Sequence, residues 1–332
     1  MPDTSNPDTL NIVRIAGDGV GPELVAAGST VIEALGVPAR WVDAVAGFNA
    51  LEEHGTTAPQ ATIAALREHG IALKGPFHTP SGGTVRSANY YLRRSLDLYA
   101  ALRPLPILAD RPPVLLVREN VEDLYGAVEW MATPDVAQAV KTASRGGCER
   151  ISRYAFELAR REKRGRVTLV HKANNLKLTE GLFLSTAREV AQRYPEIEFT
   201  DMLSDTAAST LVLDPGAFEV IVTSHTIGDI LSNLGAALAG SLGLVGSLDS
   251  SGSVHVAEAS HGSADELAGK NQVNPVAFLR GVALLLGAIG LDGEQRRLDQ
   301  ALDQWSASGA RTVDLGGTVT TSEVVQTICG LL

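Results

Sequence analysis

Cysteine is almost missing from this chain: Cys148 and Cys329 are the only two in 332 residues. Neither sits at metal-ligand spacing, and two cannot build a disulfide framework, so a reducing compartment, the cytoplasm, is expected. No run of 18 apolar residues free of charge occurs, which argues against a membrane span. The apolar segment from Val282 to Gly290 is too short to cross a bilayer and reads as a buried helix. A basic excess is also lacking. The formal net charge is −10, whereas binding a phosphate backbone needs a positive face, so nucleic acid is not an expected partner. The opening residues Met1 to Asn6 have neither the basic nor the apolar part of a signal peptide. Aromatics are scarce, at 5%. What remains is ordinary globular composition, with 45% hydrophobic and 20% charged residues. The length leaves room for two domains or one large one.

Against that acidic background, three arginines stand in apolar context: Arg93, Arg103 and Arg118. Most arginines solvate a surface or pair with a nearby acid. Arg103 and Arg118, however, each read as closing a strand, and α/β proteins build their sites at strand ends. A guanidinium offers a planar fork of donors that matches a carboxylate two bonds at a time. Several together point to a small anion with more than one carboxylate.

Strand and helix patterns alternate along the chain. Strands are predicted over 11–16, 40–44, 71–74, 114–118, 167–171, 198–201 and 219–223. Helices are predicted after Glu23 to about Leu35, from Pro59 to His69, over 88–97, over 134–163, over 179–192, from Asp205, and over 227–238. Such alternation means α/β layers. The loop from Gly75 to Gly83 is rich in turn residues. Charge is depleted between Ile230 and Val256, a stretch expected to pack deeply or to meet another subunit.

Four constellations bear on chemistry. Gly17-Asp18-Gly19-Val20-Gly21-Pro22 follows a strand and nearly matches a dinucleotide fingerprint. Pro22 replaces the third glycine that close helix–strand packing needs, which argues against a Rossmann-type site and for a glycine loop at a cleft edge. Asp229 and Asn233 are four apart and share a helix face, while Asp205 begins another helix; oxygen donors of this kind suit Mg²⁺ or Mn²⁺, and helix capping or solvation is the plainer reading. Lys172 stands at the end of an apolar strand, where burial and neighbours can tune a lysine for acid–base work, although lone lysines are usually surface groups. His261-Gly262-Ser263-Ala264-Asp265-Glu266 reads as a turn opening a helix, able to offer backbone N–H groups to phosphate and an acid to a ribose diol. His261 alone would be a structural histidine.

Together these pieces resemble the isocitrate/isopropylmalate dehydrogenase family, the β-decarboxylating dehydrogenases. The resemblance runs from Ile15–Glu23 to Asp314–Gly317. It rests on Leu73-Lys-Gly-Pro76, Asp97-Leu-Tyr-Ala-Ala-Leu-Arg-Pro104, Val117-Arg-Glu-Asn120, His171-Lys-Ala-Asn174, Gly228-Asp-Ile-Leu-Ser232 and His261-Gly-Ser-Ala264. It implies a three-layer α/β/α fold of two domains with a cleft between them, not a Rossmann fold. The larger, cofactor-binding domain would take residues 1–98 and 252–332, and the smaller domain 99–251. It implies that Arg93, Arg103 and Arg118 clamp the malate portion of a substrate, with Ser87 and Asn89 contacting the third group as in isocitrate enzymes. Tyr125 and Lys172 would be the acid–base pair. Asp205, Asp229 and Asn233 would hold Mg²⁺ or Mn²⁺. His261, Gly262, Ser263, Ala264 and Asn274 would hold the adenosine half of the cofactor. Glu266, an acid where NADP-using members often carry lysine, points to NAD. Lys172 and Asp205 would serve the neighbouring subunit's cleft, which implies a homodimer with shared sites, or a tetramer.

The chain also departs from the family pattern. Asn233 stands where a third metal-site aspartate is usual, His225 where an asparagine is common, Val121-Glu-Asp123 where Thr-Glu-Gly is usual, and Ala259-Ser260 where Pro-Val precedes the histidine. Isocitrate is the first expected substrate. Homoisocitrate, 3-isopropylmalate or an analogue bearing a phosphonate are the alternatives, and a non-catalytic regulatory subunit of a heteromeric dehydrogenase is the alternative of another class.

Overall fold

The computed structural model describes residues 9–79, 81–82, 84–108 and 111–332. Met1 to Asn6, and Pro80 and Gly83 of the turn-rich loop, lie outside the described residues.

The first stretch of chain runs β1 (Leu10–Ile15), α1 (Gly21–Ala34), β2 (Ala39–Ala44), α2 (Phe48–His54), α3 (Gln60–His69), β3 (Ile71–Lys74) and α4 (Ala88–Ser95). The middle stretch contains β4 (Ala100–Leu105), β5 (Val114–Glu119), β6 (Glu129–Thr133), β7 (Val136–Ala139), α5 (Arg145–Arg161), β8 (Arg166–His171), α6 (Thr179–Ala191), β9 (Glu198–Leu203), α7 (Ser204–Leu213), β10 (Val220–Thr223) and α8 (His225–Leu238). The last stretch adds β11 (Gly246–Ser250), β12 (His255–Ala259), α9 (Val276–Ala288), α10 (Asp292–Ala307) and α11 (Thr321–Leu331). The chain divides into two compact units, Met1–Leu96 with Ser241–Leu332, and Asp97–Gly240.

In the first unit the strand order is β2-β1-β3-β12-β11. The first four are mutually parallel, and β11 is antiparallel to β12. Pro22 and Glu23 in the first turn of α1 suit its N-terminus, and Gly70, left-handed at φ 71°, stops α3. Helix α9 is apolar almost all round and buried accordingly, at the centre of a core that includes Phe278, Leu279, Val282 and Trp305. It lies directly on β11 and β12: a Cβ on Gly281 would stand 2.6 Å from the carbonyl oxygen of Glu258.

The loop after β1 has a structural task of its own. Asp18 is buried, and its carboxylate accepts N–H bonds from Phe48 at 3.0 Å, Asn49 at 3.3 Å and His78 at 2.9 Å. Gly17 and Gly19 take the left-handed turns, φ 73° and 56°, that aim this carboxylate. The motif that mimics a dinucleotide fingerprint is thus a clasp from the loop after β1 to the start of α2 and the loop after β3.

In the second unit β4 and β5 are antiparallel, and β5, β10, β8 and β9 run parallel in that order. Strands β8 and β10 are nearly wholly buried, as expected of Val-rich parallel strands. One expectation fails here. The helix predicted over 134–163 is a β6–β7 hairpin followed by α5, which begins only at Arg145. Pro134-Asp135 makes the turn, and Ser144 caps α5 by accepting from the Gly147 N–H at 3.0 Å. Val136-Ala-Gln-Ala-Val140 is exposed throughout β7 and shows no apolar/polar alternation that would have marked a strand.

The close seating of α9 gives a test. Gly281→Ala should cost about 1–3 kcal/mol of stability, read as a lower denaturant midpoint. Gly293→Ala in α10, where an added Cβ meets nothing within 4 Å, should be neutral or slightly stabilising.

Candidate active site

Strand β5 carries Arg118 near its end, and α8 carries Asp229. Arg118 is 2% exposed, and its Nη1 donates to Asp229 Oδ1 at 2.8 Å. The other oxygen of Asp229 accepts from the Tyr125 hydroxyl at 3.2 Å. Tyr125 sits in a single 3₁₀ turn, Leu124–Gly126, with its ring edge-on to His225 at 5.0 Å. Burial, and then the Asp229 carboxylate, push the phenol of Tyr125 up, so it keeps its proton at neutral pH. Arg103, 5% exposed, donates to Ser232 Oγ at 2.7 Å, and that hydroxyl donates to the Asp229 carbonyl. Arg103 lies inside β4 rather than at its end. Two of the three predicted arginines thus converge on one turn of α8. A Cβ at Gly228 would meet the Arg118 side chain at 2.7 Å, so that helix must be bare there.

Lys172 follows β8, and its Nζ donates to Asp205 Oδ1 in the first turn of α7 at 2.5 Å. That bond holds the Asp205 carboxyl below the usual range. Asn233 donates to the Asp229 carbonyl at 2.9 Å, one turn along α8. Among the described residues no three His, Cys, Asp or Glu side chains gather to hold a metal ion. Asp205 and Asp229 each have a cation for a partner within this chain.

In the first unit, Arg93 on α4 donates from Nε to Asp249 at 2.8 Å and from Nη2 to Glu258 at 3.3 Å. Glu258 also accepts from Lys74 at 2.5 Å. Asp249 and Glu258 are both buried. Lys74 lies in the Leu73-Lys-Gly-Pro76 string, and Asp249 is the lone acid of the charge-depleted stretch; that isolation was the available signal for this network. Ser87 caps α4, accepting from the Asn89 N–H at 3.3 Å, and Asn89 is half-buried in the first turn.

The helix expected after the His261–Ser263 turn is only the 3₁₀ turn Asp265–Leu267, entered through Ala264 in the left-handed region at φ 41°. Val20 donates to the Ser263 carbonyl at 2.9 Å, seating the turn on the first glycine loop. Burial pushes the His261 imidazole down, so the neutral form prevails; with Nδ1 bonded to the Gly262 carbonyl at 3.0 Å, Nε2 is left as an acceptor. Gly262 and Glu266 are exposed. The side chain of Asn274 is engaged internally, donating to Asp314 at 3.1 Å and accepting from the Val276 N–H at 3.0 Å.

The family model for isocitrate/isopropylmalate dehydrogenase matches residues 11–328. The chain belongs to this family. The 3-isopropylmalate dehydrogenase of Archaeoglobus fulgidus is 38% identical, with 97% of this chain and 99% of that protein covered. The isocitrate/homoisocitrate dehydrogenase of Thermus thermophilus is 39% identical over 96% of this chain and 97% of its own length. The crystal structure of isocitrate dehydrogenase from Methylococcus capsulatus superposes with a TM-score of 0.92 at 40% identity, covering 97% of this chain and 99% of that one. The fold is therefore the mixed α/β architecture of isocitrate dehydrogenases, and the protein is a dehydrogenase of this oxidative-decarboxylase family. No helix among the described residues is long and apolar enough to cross a membrane.

Glu119, beside Arg118 on β5, lends the site a pH dependence. Burial raises its carboxyl to about 7 from 4.5, against N–H bonds from Val121 and Glu122. The native state therefore holds the Glu119 proton more tightly than the unfolded chain does, and stability should fall as pH rises between these values. The expected loss is about 3 kcal/mol. Denaturation of Glu119→Gln should gain on the parent from pH 5 to pH 8; a difference constant with pH would refute this assignment.

Proposed function

We propose that this protein oxidatively decarboxylates a 2-hydroxy-3-carboxy acid with NAD and Mg²⁺ or Mn²⁺, isocitrate being the substrate that fits best. The observation that carries the reading is the meeting of Arg118 and the protonated Tyr125 on one carboxylate, Asp229. It joins an anion receptor, a proton donor and a hard oxygen ligand.

The donor chemistry fits the groups the reaction needs. Asp229, Asn233 and Asp205 offer oxygen ligands suited to a hard cation. As the family pattern implies, Asp205, with Lys172, serves the cleft of a second copy, so the working unit in this reading is a homodimer. A neutral His261 with an accepting Nε2 suits the amino group of an adenine. Exposed Glu266 suits a ribose diol and repels a 2′-phosphate, which favours NAD over NADP. When bound, nicotinamide accepts the hydride and the cation polarises the oxygen at C2.

The chain's own residues do the rest. Arg93, Arg103 and Arg118 fix the carboxylates of the malate core, so that the hydroxyl-bearing carbon and the leaving carboxylate are held in register. Lys172 helps withdraw the hydroxyl proton. After the carboxylate β to the new ketone departs as CO₂, Tyr125 supplies the proton that quenches the enolate. Ser87 and Asn89 meet the third substituent.

Purified protein with Mn²⁺, NAD and a panel of isocitrate, homoisocitrate, 3-isopropylmalate and a phosphonate analogue tests this directly. NADH should form fastest from isocitrate, and NADH from none of them sinks the enzymatic reading in favour of a regulatory subunit. Asn89→Ala should lower kcat/KM for isocitrate by roughly 10- to 100-fold, the value of a hydrogen bond to a charged group, and act less on 3-isopropylmalate. Glu266→Lys should shift the NADP/NAD preference by at least about ten-fold toward NADP through reversal of the local charge.

A further inference from the structure

A buried ion triad in the second unit has no part in the chemistry above, yet it bonds the backbone of Lys172 and forms the turn that carries Tyr125. Lys141, two residues beyond β7, donates from Nζ to Asp123 and, at 2.8 Å, to Glu180. Its side chain is 13% exposed, and the two carboxylates are 2% and 1% exposed. Each carboxylate spends its other oxygen on a backbone N–H. Asp123 Oδ2 accepts from Thr226 at 2.8 Å, in the first turn of α8, a helix with no side-chain cap of its own. Glu180 Oε2 accepts from Lys172 at 3.0 Å. Asp123 also forms the turn that presents Tyr125: its own N–H donates to Thr142, its carbonyl accepts from Gly126, and its φ of 68° is left-handed.

We propose that Lys141 is a positioning residue that sets Tyr125, the start of α8 and Lys172 relative to one another through the Asp123–Lys141–Glu180 triad. This rests on the acid–base roles proposed for Tyr125 and Lys172. The physical reason is that two carboxylates out of water tolerate each other only with a cation between them. Glu122 lines the same small cavity, adding to the negative charge that Lys141 offsets. Without the ammonium, Asp123 and Glu180 must separate or take up protons. Either change loosens their grip on the Thr226 and Lys172 N–H groups. Asp123, at the place where the sequence departs from the usual glycine, is what makes the connection possible.

The test is Lys141→Met, with Lys141→Arg as the conservative control. Amide hydrogen exchange should accelerate at least about ten-fold at both Lys172 and Thr226 in the Met variant, since both bonds lose their anchor. With the best substrate of the panel, kcat should drop on the order of 100-fold, as for a small misplacement of reacting groups. KM should change less than about three-fold, and Arg should restore most of kcat. If Lys141→Met does not fold, Glu180→Gln should speed exchange at Lys172 while leaving Thr226 protected, and Asp123→Asn should do the reverse. Unchanged exchange at either amide in Lys141→Met, or single-arm variants that leave their own amide protected, overturns the proposal even if the protein proves to have no dehydrogenase activity. Inactivity of the parent enzyme strikes the functional reading instead, and unaltered kcat in Lys141→Met with an active parent strikes the triad's role.

Discussion

A guanidinium or ammonium removed from water must have a counter-charge, and the candidate site is arranged around that constraint. Arg118 has Asp229, Arg93 has Asp249 and Glu258, Lys74 has Glu258, Lys141 has Asp123 and Glu180, and at the surface Lys172 has Asp205. These acids come from other strands and helices than their cations. Pairing them therefore holds β5 to α8, α4 to β11 and β12, and β8 to α7. Within each unit these charged side chains are already ordered, which on the proposed function leaves little side-chain freedom to be lost on binding a carboxylate.

The same constraint accounts for the glycines. Gly228 is bare because the Arg118 side chain lies against it, and Gly281 is bare because α9 rests on the strand that presents Glu258. Removing a Cβ there lets a helix approach closely enough to a buried charge to keep water out, which strengthens the electrostatic pairing inside. Asp18 applies the logic to backbone groups: one buried carboxylate ties two N–H groups at the start of α2 and one in the loop after β3. The glycine loop is shaped around that acid and is not a phosphate-binding turn of the Rossmann kind.

Much of this was legible beforehand where local signals were strong. The Pro–Gly punctuation of α3, the Val-rich runs of β8 and β10 and the apolar α9 all appear where the pattern places them. The β6–β7 hairpin did not, because its residues are exposed, at Glu129–Thr133 and Val136–Ala139 alike, and an exposed ribbon carries little hydrophobic contrast from which to read a period. The turn at Asp265–Leu267 was misread because a Gly-Ser pair before acids marks a short 3₁₀ turn as readily as a long helix.

Sequence alone determined the family, the α/β alternation and the residue types of the site, since motifs such as Val117-Arg-Glu-Asn120 and His171-Lys-Ala-Asn174 are local strings. Only the tertiary structure decided which acid answers which cation. Asp249 stands 156 positions from Arg93, and Asp229 stands 111 from Arg118. Ion pairing depends on distance in space and on exclusion of water, and neither is a property of spacing along the chain. For the same reason Lys141, an unremarked lysine in a misread segment, became visible as a hub only once Asp123 and Glu180 were seen to close on it from separate elements.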